Sequence, residues 1–234
     1  MDGVNSMTGN APDIREFARL ARRYDALLYV DDAHGFGVIG ERASESSPYG
    51  LRGNSVIRYC DESYDGIVLV AGFSKSYSSL AAFVACPTEL KELLKTAAPP
   101  YLYSGPSPTA SLATVLAGFE VNEARGDAIR TDLWRKTDRI LQTLDRLGIH
   151  TPNRSGFPII EVPLARHEDI DAAGRFLFDH GIYVTLAAYP LVPKQEVGFR
   201  IQVTAANTDA EIDHLCAVLA EVRARFQLQQ PGEA

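Results

Sequence analysis

The chain has 234 residues, 46% of them hydrophobic and 23% charged, ordinary proportions for a globular protein with a full core. A net charge of −7 leaves no basic face to neutralise phosphates, which argues against nucleic acid as a partner. No apolar run reaches membrane-spanning length and the opening MDGVNSMTGN is polar, so a cytoplasmic protein with no membrane association is expected.

PDIREFARLARRYDA (12–26) predicts an amphipathic helix, with Pro12 in an early helical position and Ile14, Phe17, Ala18 and Ala21 on one face. LLYVDDAHGFGVIG (27–40) and GIVLVAGFSKSYSS (66–79) are β-branched apolar runs that end abruptly in polar residues and glycine. That is the pattern of buried parallel strands emerging at the carboxyl edge of a sheet. The polar stretch 40–66 between them reads as loop with a short helix. AAFVACP (81–87) predicts a short buried strand and PTELKELLKTAA (87–98) a short helix. The proline- and serine-punctuated PPYLYSGPSPTAS (99–111) reads as loop. Helical periodicity follows through Leu112, Val115, Leu116 and Phe119. A second helix is expected over about 127–147, with Leu133, Trp134, Ile140, Leu141 and Leu144 buried and Gly148 as its C-cap glycine.

Beyond Gly148 the texture changes. FPIIEVPL (157–164), a helix through Ile170, Ala173 and Phe176, GIYVTLAAY (181–189), FRIQVTA (199–205) and a helix over about 208–227 form a β-α-β-β-α unit. Two domains follow from this: residues 1–148, carrying a mostly parallel sheet, and a small α+β domain over 149–234. The terminal QLQQPGEA is expected to fray. The first domain supplies only about three strands, few for a parallel sheet covered on both faces, so an upstream portion is expected. Cys60, Cys86 and Cys216 are scattered and read as reduced structural thiols. No spacing suggests a metal site.

The chemistry concentrates where the two strands end. The first delivers Asp31, Asp32 and His34 to the sheet edge, and the second delivers Lys75. Ligands of α/β sheets bind in the crevice outside the carboxyl strand ends. A lysine beside a carboxylate there suits pyridoxal phosphate: the amine forms an imine with the aldehyde, and the carboxylate keeps the pyridine nitrogen protonated. His34 is placed to hydrogen-bond the ring hydroxyl or the imine. Asp32 reads as a structural residue capping the following turn. His150, His167, His180 and His214 read as solvent-facing.

Four motifs in order then carry a resemblance. GVNSMTGNAPDIREFARLARRYDALLYVDDAHGFGVIG, AGFSKS, LYSGPSPTA and FRIQVTAANTDAEID together resemble the α-oxoamine synthases, fold-type I pyridoxal-phosphate enzymes, over essentially the whole chain. The resemblance implies that Asp31 pairs with the pyridinium nitrogen and that His34 bonds the phenolic oxygen, with Ser6 nearby. It implies that Lys75 anchors the cofactor and serves as the general base for the substrate α-proton, and that Arg200 clamps the amino-acid carboxylate, a task suited to a bidentate guanidinium. The implied activity is an acyltransferase of the 2.3.1 type. It condenses an amino acid with an acyl-CoA or acyl-carrier thioester and releases CO₂, in a homodimer whose sites are shared through residues 99–111.

The chain departs from the family at several positions. Gly72 and Gly105 stand where the family has phosphate-binding threonines, which leaves phosphate binding to Ser74, Ser104, Ser107 and backbone N–H groups. The spacing from His34 to Lys75 contains an insertion within 52–66, and Ala188 replaces an arginine that some members carry. Family members also have a long upstream segment, so weak cofactor binding and little turnover are expected of this stretch by itself. Two other readings stay open: an aminotransferase of class I/II, and a non-catalytic scaffolding subunit.

Overall fold

A computed structural model describes residues 1–230. The chain forms two compact units. One comprises Met1–Asn5 and Ala11–Arg130; the other comprises Ser6–Asn10 and the chain from Thr131 onward.

The first unit opens with α1 (Ile14–Arg23). Its N-cap is Asp13, whose Oδ1 accepts the Glu16 N–H at 3.1 Å, so Pro12 precedes the cap rather than occupying the first turn. Ile14 and Ala18 are buried, but Phe17 is exposed, because the covered stripe is narrower than the sequence pattern suggested. β1 (Leu28–Asp31) pairs in parallel with β2 (Ile67–Gly72), bringing Asp31 opposite Val70. The crossover between them contains only a short helix, α2 (Val56–Tyr59). β3 (Ala82–Ala85) runs antiparallel to β2 and completes a three-stranded sheet in the order β1-β2-β3.

Burial is concentrated in the central strand. β2 is nearly all buried, whereas in β1 only Val30 is enclosed, and Leu27 and Tyr29 face outward. β3, expected to be buried, is an exposed edge with only Phe83 partly covered. α3 (Thr88–Ala97) matches its predicted span, and Pro99–Leu102 forms a one-turn helix, α4, inside the expected loop.

The two helices expected after residue 111 are one continuous helix, α5 (Thr109–Arg146). Gly118 and Gly126 are tolerated mid-helix for local reasons. A Cβ at 118 would meet the Tyr77 ring at 2.4 Å, and one at 126 would meet Asn122 Oδ1 at 2.4 Å. α5 closes as expected at Gly148, which has φ +63°. Its N–H donates to Asp145 O and the Ile149 N–H donates to Leu144 O, both at 2.9 Å, a Schellman motif with Ile149 and Leu144 buried together. The chain divides inside α5, after Arg130, rather than at Gly148. The reason is that the last turns of α5 are bonded to second-unit residues: Arg135 to Asp209 at 2.7 Å and Lys136 Nζ to Ala205 O at 3.0 Å.

The second unit is a β-α-β-β-α fold. β4 (Ile159–Pro163), β5 (Thr185–Ala187) and β6 (Gly198–Gln202) form an antiparallel sheet in the order β4-β6-β5. The helices are α6 (Ile170–Asp179) and α7 (Asp209–Arg225). α7 begins with a reciprocal capping box: Glu211 N–H donates to Thr208 Oγ1, and Thr208 N–H donates to Glu211 Oε2. Residues 6–10 belong here because Asn10 donates to Pro152 O at 2.8 Å and accepts the Arg154 N–H at 2.6 Å. His180 is not simply solvent-facing, since its ring lies 4.0 Å from that of Phe176 and its Nδ1 bonds Phe176 O.

Residues 227–229 do not fray. Leu228 is buried and bridges Leu164, while the His150 N–H donates to Gln229 O. The rest of the expected fraying, over 231–234, lies outside the described residues. All three cysteines are unpaired and half-buried. Among the described residues no helix is long and apolar enough to cross a membrane.

Candidate active site

Parallel pairing of β1 and β2 sends both strands out at the same sheet edge, so Asp31 and the segment after Gly72 emerge side by side. Asp31 is the last residue of β1 and is exposed. Its Oδ1 accepts the N–H of Ala33 at 3.0 Å, an Asx-type turn that fixes the carboxylate at the strand end. Asp31 therefore caps the following turn as well, beside the approach of the Gly35 N–H to the Asp32 carboxylate. His34 lies within that turn, half-buried.

Lys75 sits at the apex of a short arch. Phe73 and Tyr77, two residues away on either side, are buried, whereas Ser74, Lys75 and Ser76 are exposed. The buried pair joins an aromatic cluster. Phe73 and Tyr77 meet edge to face at 5.3 Å, and the Phe36 ring stacks on Tyr77 at 5.6 Å and approaches Phe83 at 5.0 Å. Such pairs contribute about 1 kcal/mol each beyond their burial, so the arch rests on a rigid floor. Its ends are closed by Ser79 N–H to Phe73 O and Phe73 N–H to Ala81 O, at 2.9 and 2.8 Å. Ser78, at φ +51°, turns the chain inside the arch.

The two loops are tied directly together. Ser76 Oγ donates to Phe36 O at 2.8 Å, two residues beyond His34. Gly37 makes this approach possible: it has φ +83°, and a Cβ there would fall 2.3 Å from Ser76 Oγ. Behind the His34 loop, the buried Arg130 donates to Gly37 O at 3.2 Å and to Asn122 Oδ1 at 2.7 Å, and it pairs with Asp127. Sequence reading missed Arg130, because a charged residue in the middle of a helix reads as solvent-facing.

Asp32 turns inward and is fully buried. Its Oδ2 accepts the N–H of Val56 at 2.8 Å, anchoring the start of α2, and its Oδ1 has no partner. Burial raises its pKa to about 7, the Val56 N–H opposes the rise, and the nearby Asp31 charge adds to it. A carboxyl whose folded pKa exceeds its unfolded value contributes stability below the unfolded value, here about 3.8, and that contribution is lost as pH rises towards 7. Thermal unfolding is therefore expected to show a less stable fold at pH 8 than at pH 5. Asp32 accounts for on the order of 3 kcal/mol of the difference. Asp32→Asn is expected to narrow the gap, and an unchanged gap would contradict the assignment.

Of the residues proposed for the site, the first unit brings together Asp31, His34, Ser74 and Lys75. Ser104 lies in the exposed segment between α4 and α5 and bonds to none of them. Ser6 and Arg200 belong to the second unit, where an Arg200 Nη1–H donates to Ser6 O. Gly72 and Gly105 have open space around them: Ser74 Oγ lies 3.5 Å from a Cβ built at 72, and nothing lies within 4 Å of one built at 105.

The aminotransferase class I and II family model matches residues 1–219. The chain belongs to this family. Relatives within it include the 8-amino-7-oxononanoate synthase of Marinobacter nauticus, 34% identical over 222 residues, covering 95% of this chain and 54% of the relative. The serine palmitoyltransferase of Sphingobacterium spiritivorum is 30% identical over 230 residues, covering 97% and 54%. A solved structure of Sphingomonas wittichii serine palmitoyltransferase superposes with a TM-score of 0.85 at 23% identity, over 96% of this chain and 55% of that one, which shows the shared fold. The chain thus spans about half the length of the curated relatives it matches. These matches bear out the resemblance to the α-oxoamine synthases and the fold-type I architecture. Pyridoxal phosphate is the cofactor of these class I and II enzymes, and the donor set at the β1–β2 edge fits it. An exposed amine on a rigid arch, a fixed exposed carboxylate and a half-buried imidazole share one edge, with the Ser74 hydroxyl beside the amine.

Proposed function

We propose that the chain carries the cofactor-anchoring edge of a pyridoxal-phosphate-dependent acyltransferase, which condenses an amino acid with an acyl-CoA or acyl-carrier thioester and releases CO₂. The observation that carries this reading is the emergence of Asp31 and the Lys75 arch at one edge of the parallel β1–β2 pair, tied by the Ser76–Phe36 hydrogen bond. The names of the relatives support the acyl-transfer chemistry.

When bound, pyridoxal phosphate supplies an electron-accepting ring that makes the amino-acid α-carbon acidic. Asp31 keeps the proton on the pyridine nitrogen. His34 donates a hydrogen bond to the phenolic oxygen, and Ser74 and Ser104 contribute hydroxyls to the phosphate. Lys75 Nζ would hold the aldehyde carbon, and as a free amine at the same edge it would be the base placed to take the substrate α-proton. Arg200 binds the substrate carboxylate, with Ser6 holding its guanidinium from the backbone side.

We place the protein in the cytoplasm, where the three unpaired thiols stay reduced. The exposed Tyr101, Leu102, Tyr103, Leu112 and Leu116 around 99–111 support a homodimer.

The test is a panel of amino acids and acyl thioesters given to the whole protein, following CO₂ and free thiol. Equal release of both is expected. A 2-oxo acid with neither product would make it an aminotransferase, and no product with any pair would favour a scaffolding subunit.

A further inference from the structure

Arg200 and Glu161 are direct partners across the antiparallel β4–β6 pair, so their side chains project from the same face of the sheet. Glu161 is 1% exposed, yet its Oε1 has no hydrogen-bond partner; the buried Nε of Arg200 has none either. Arg200 Nη1 is held elsewhere, on Ser6 O and 4.0 Å from Met7 Sδ. A cation and a carboxyl group thus face each other one strand apart, each with a polar atom left over. Burying an unpaired carboxylate is costly, so a group so placed either takes a proton or acquires a partner.

We propose that Glu161 is a positioning residue that sets how much of the Arg200 charge is available to the carboxylate of an incoming amino acid. Neutral Glu161 leaves the guanidinium free to pair with the substrate. Ionised Glu161 competes for it across the strand pair. This inference rests on Arg200 being the carboxylate clamp. The charged groups around Glu161 are Arg200 on β6 and Glu196 on the 3₁₀ turn Lys194–Glu196. Burial, with a smaller push from Glu196 and opposed by Arg200, raises the Glu161 pKa to about 7. Burial lowers that of Arg200, and Glu161 opposes the shift. A second carboxylate arriving at Arg200 favours the protonated form of Glu161, so binding and proton uptake are linked.

Calorimetry on the whole protein loaded with pyridoxal phosphate tests this, with L-serine and L-alanine as probes between pH 6 and 8.5 in two buffers of different ionisation heat. Affinity is expected to fall about tenfold from pH 7 to 8.5, with a fraction of a proton taken up on binding near pH 7.5. Glu161→Gln is expected to flatten the pH profile and reduce the proton uptake. The proton count in the unaltered protein stands even if that variant fails to fold, and no uptake there overturns the inference. Identical pH profiles and proton counts in the two proteins overturn it as well, leaving Arg200 as the clamp. Absence of binding by either amino acid at every pH overturns the clamp assignment and this inference together.

Discussion

Lys75→Ala is expected to lower kcat by at least about three orders of magnitude, because one side chain supplies both the cofactor anchor and the base for the α-proton. The structure makes this a clean substitution. Lys75 is exposed at the apex of its arch, and the arch is held by Phe73 and Tyr77 and by backbone hydrogen bonds that the lysine side chain does not make. Without cofactor, thermal unfolding is therefore expected to shift by no more than about 0.5 kcal/mol, as for surface substitutions generally. Rates of CO₂ and thiol release, measured beside the melting curve, check both halves. A variant that keeps most of its activity would remove Lys75 from the mechanism.

Asp31→Asn carries the second large effect. The Asn side-chain oxygen can still accept the Ala33 N–H that Asp31 Oδ1 now accepts at 3.0 Å, so the loop geometry survives while the negative charge is lost. A ring nitrogen without an anionic partner loses its proton more readily, and electron withdrawal weakens with it. The expected loss in kcat is about two to four orders of magnitude, in the range found when one oriented charge or proton donor is removed from a site. The absorbance of the bound cofactor is expected to respond to pH differently from that of the unaltered protein. Equal kcat in the two proteins would show that Asp31 only shapes its turn.

Strand ends and turn chemistry were legible in the residues. The change from β-branched runs to D-D-A-H and G-F-S-K located both loops, and parallel pairing then placed them together. Gly148 marked the end of α5 because its role is local.

Features set by tertiary packing were not legible. The continuity of α5 was not legible: Gly118 and Gly126 leave the room that the close approach of Tyr77 and the Asn122–Arg130 pairing need. The apolar run of β3 suggested burial, although the strand lies at the sheet edge. Asp32 read as structural and is indeed sealed in, but that the pleat buries it completely while Asp31 faces out became visible only in the fold. Glu161 was not singled out within FPIIEVPL. Its register against Arg200 becomes visible only once β4 and β6 are paired.

The most direct measurement is borohydride reduction of the whole protein equilibrated with pyridoxal phosphate, followed by proteolysis and peptide mapping. A single pyridoxyl group on the peptide containing Lys75 is the predicted result. Pyridoxyl on a different lysine, such as Lys91 or Lys95, or no stable label at saturating cofactor, would contradict the account.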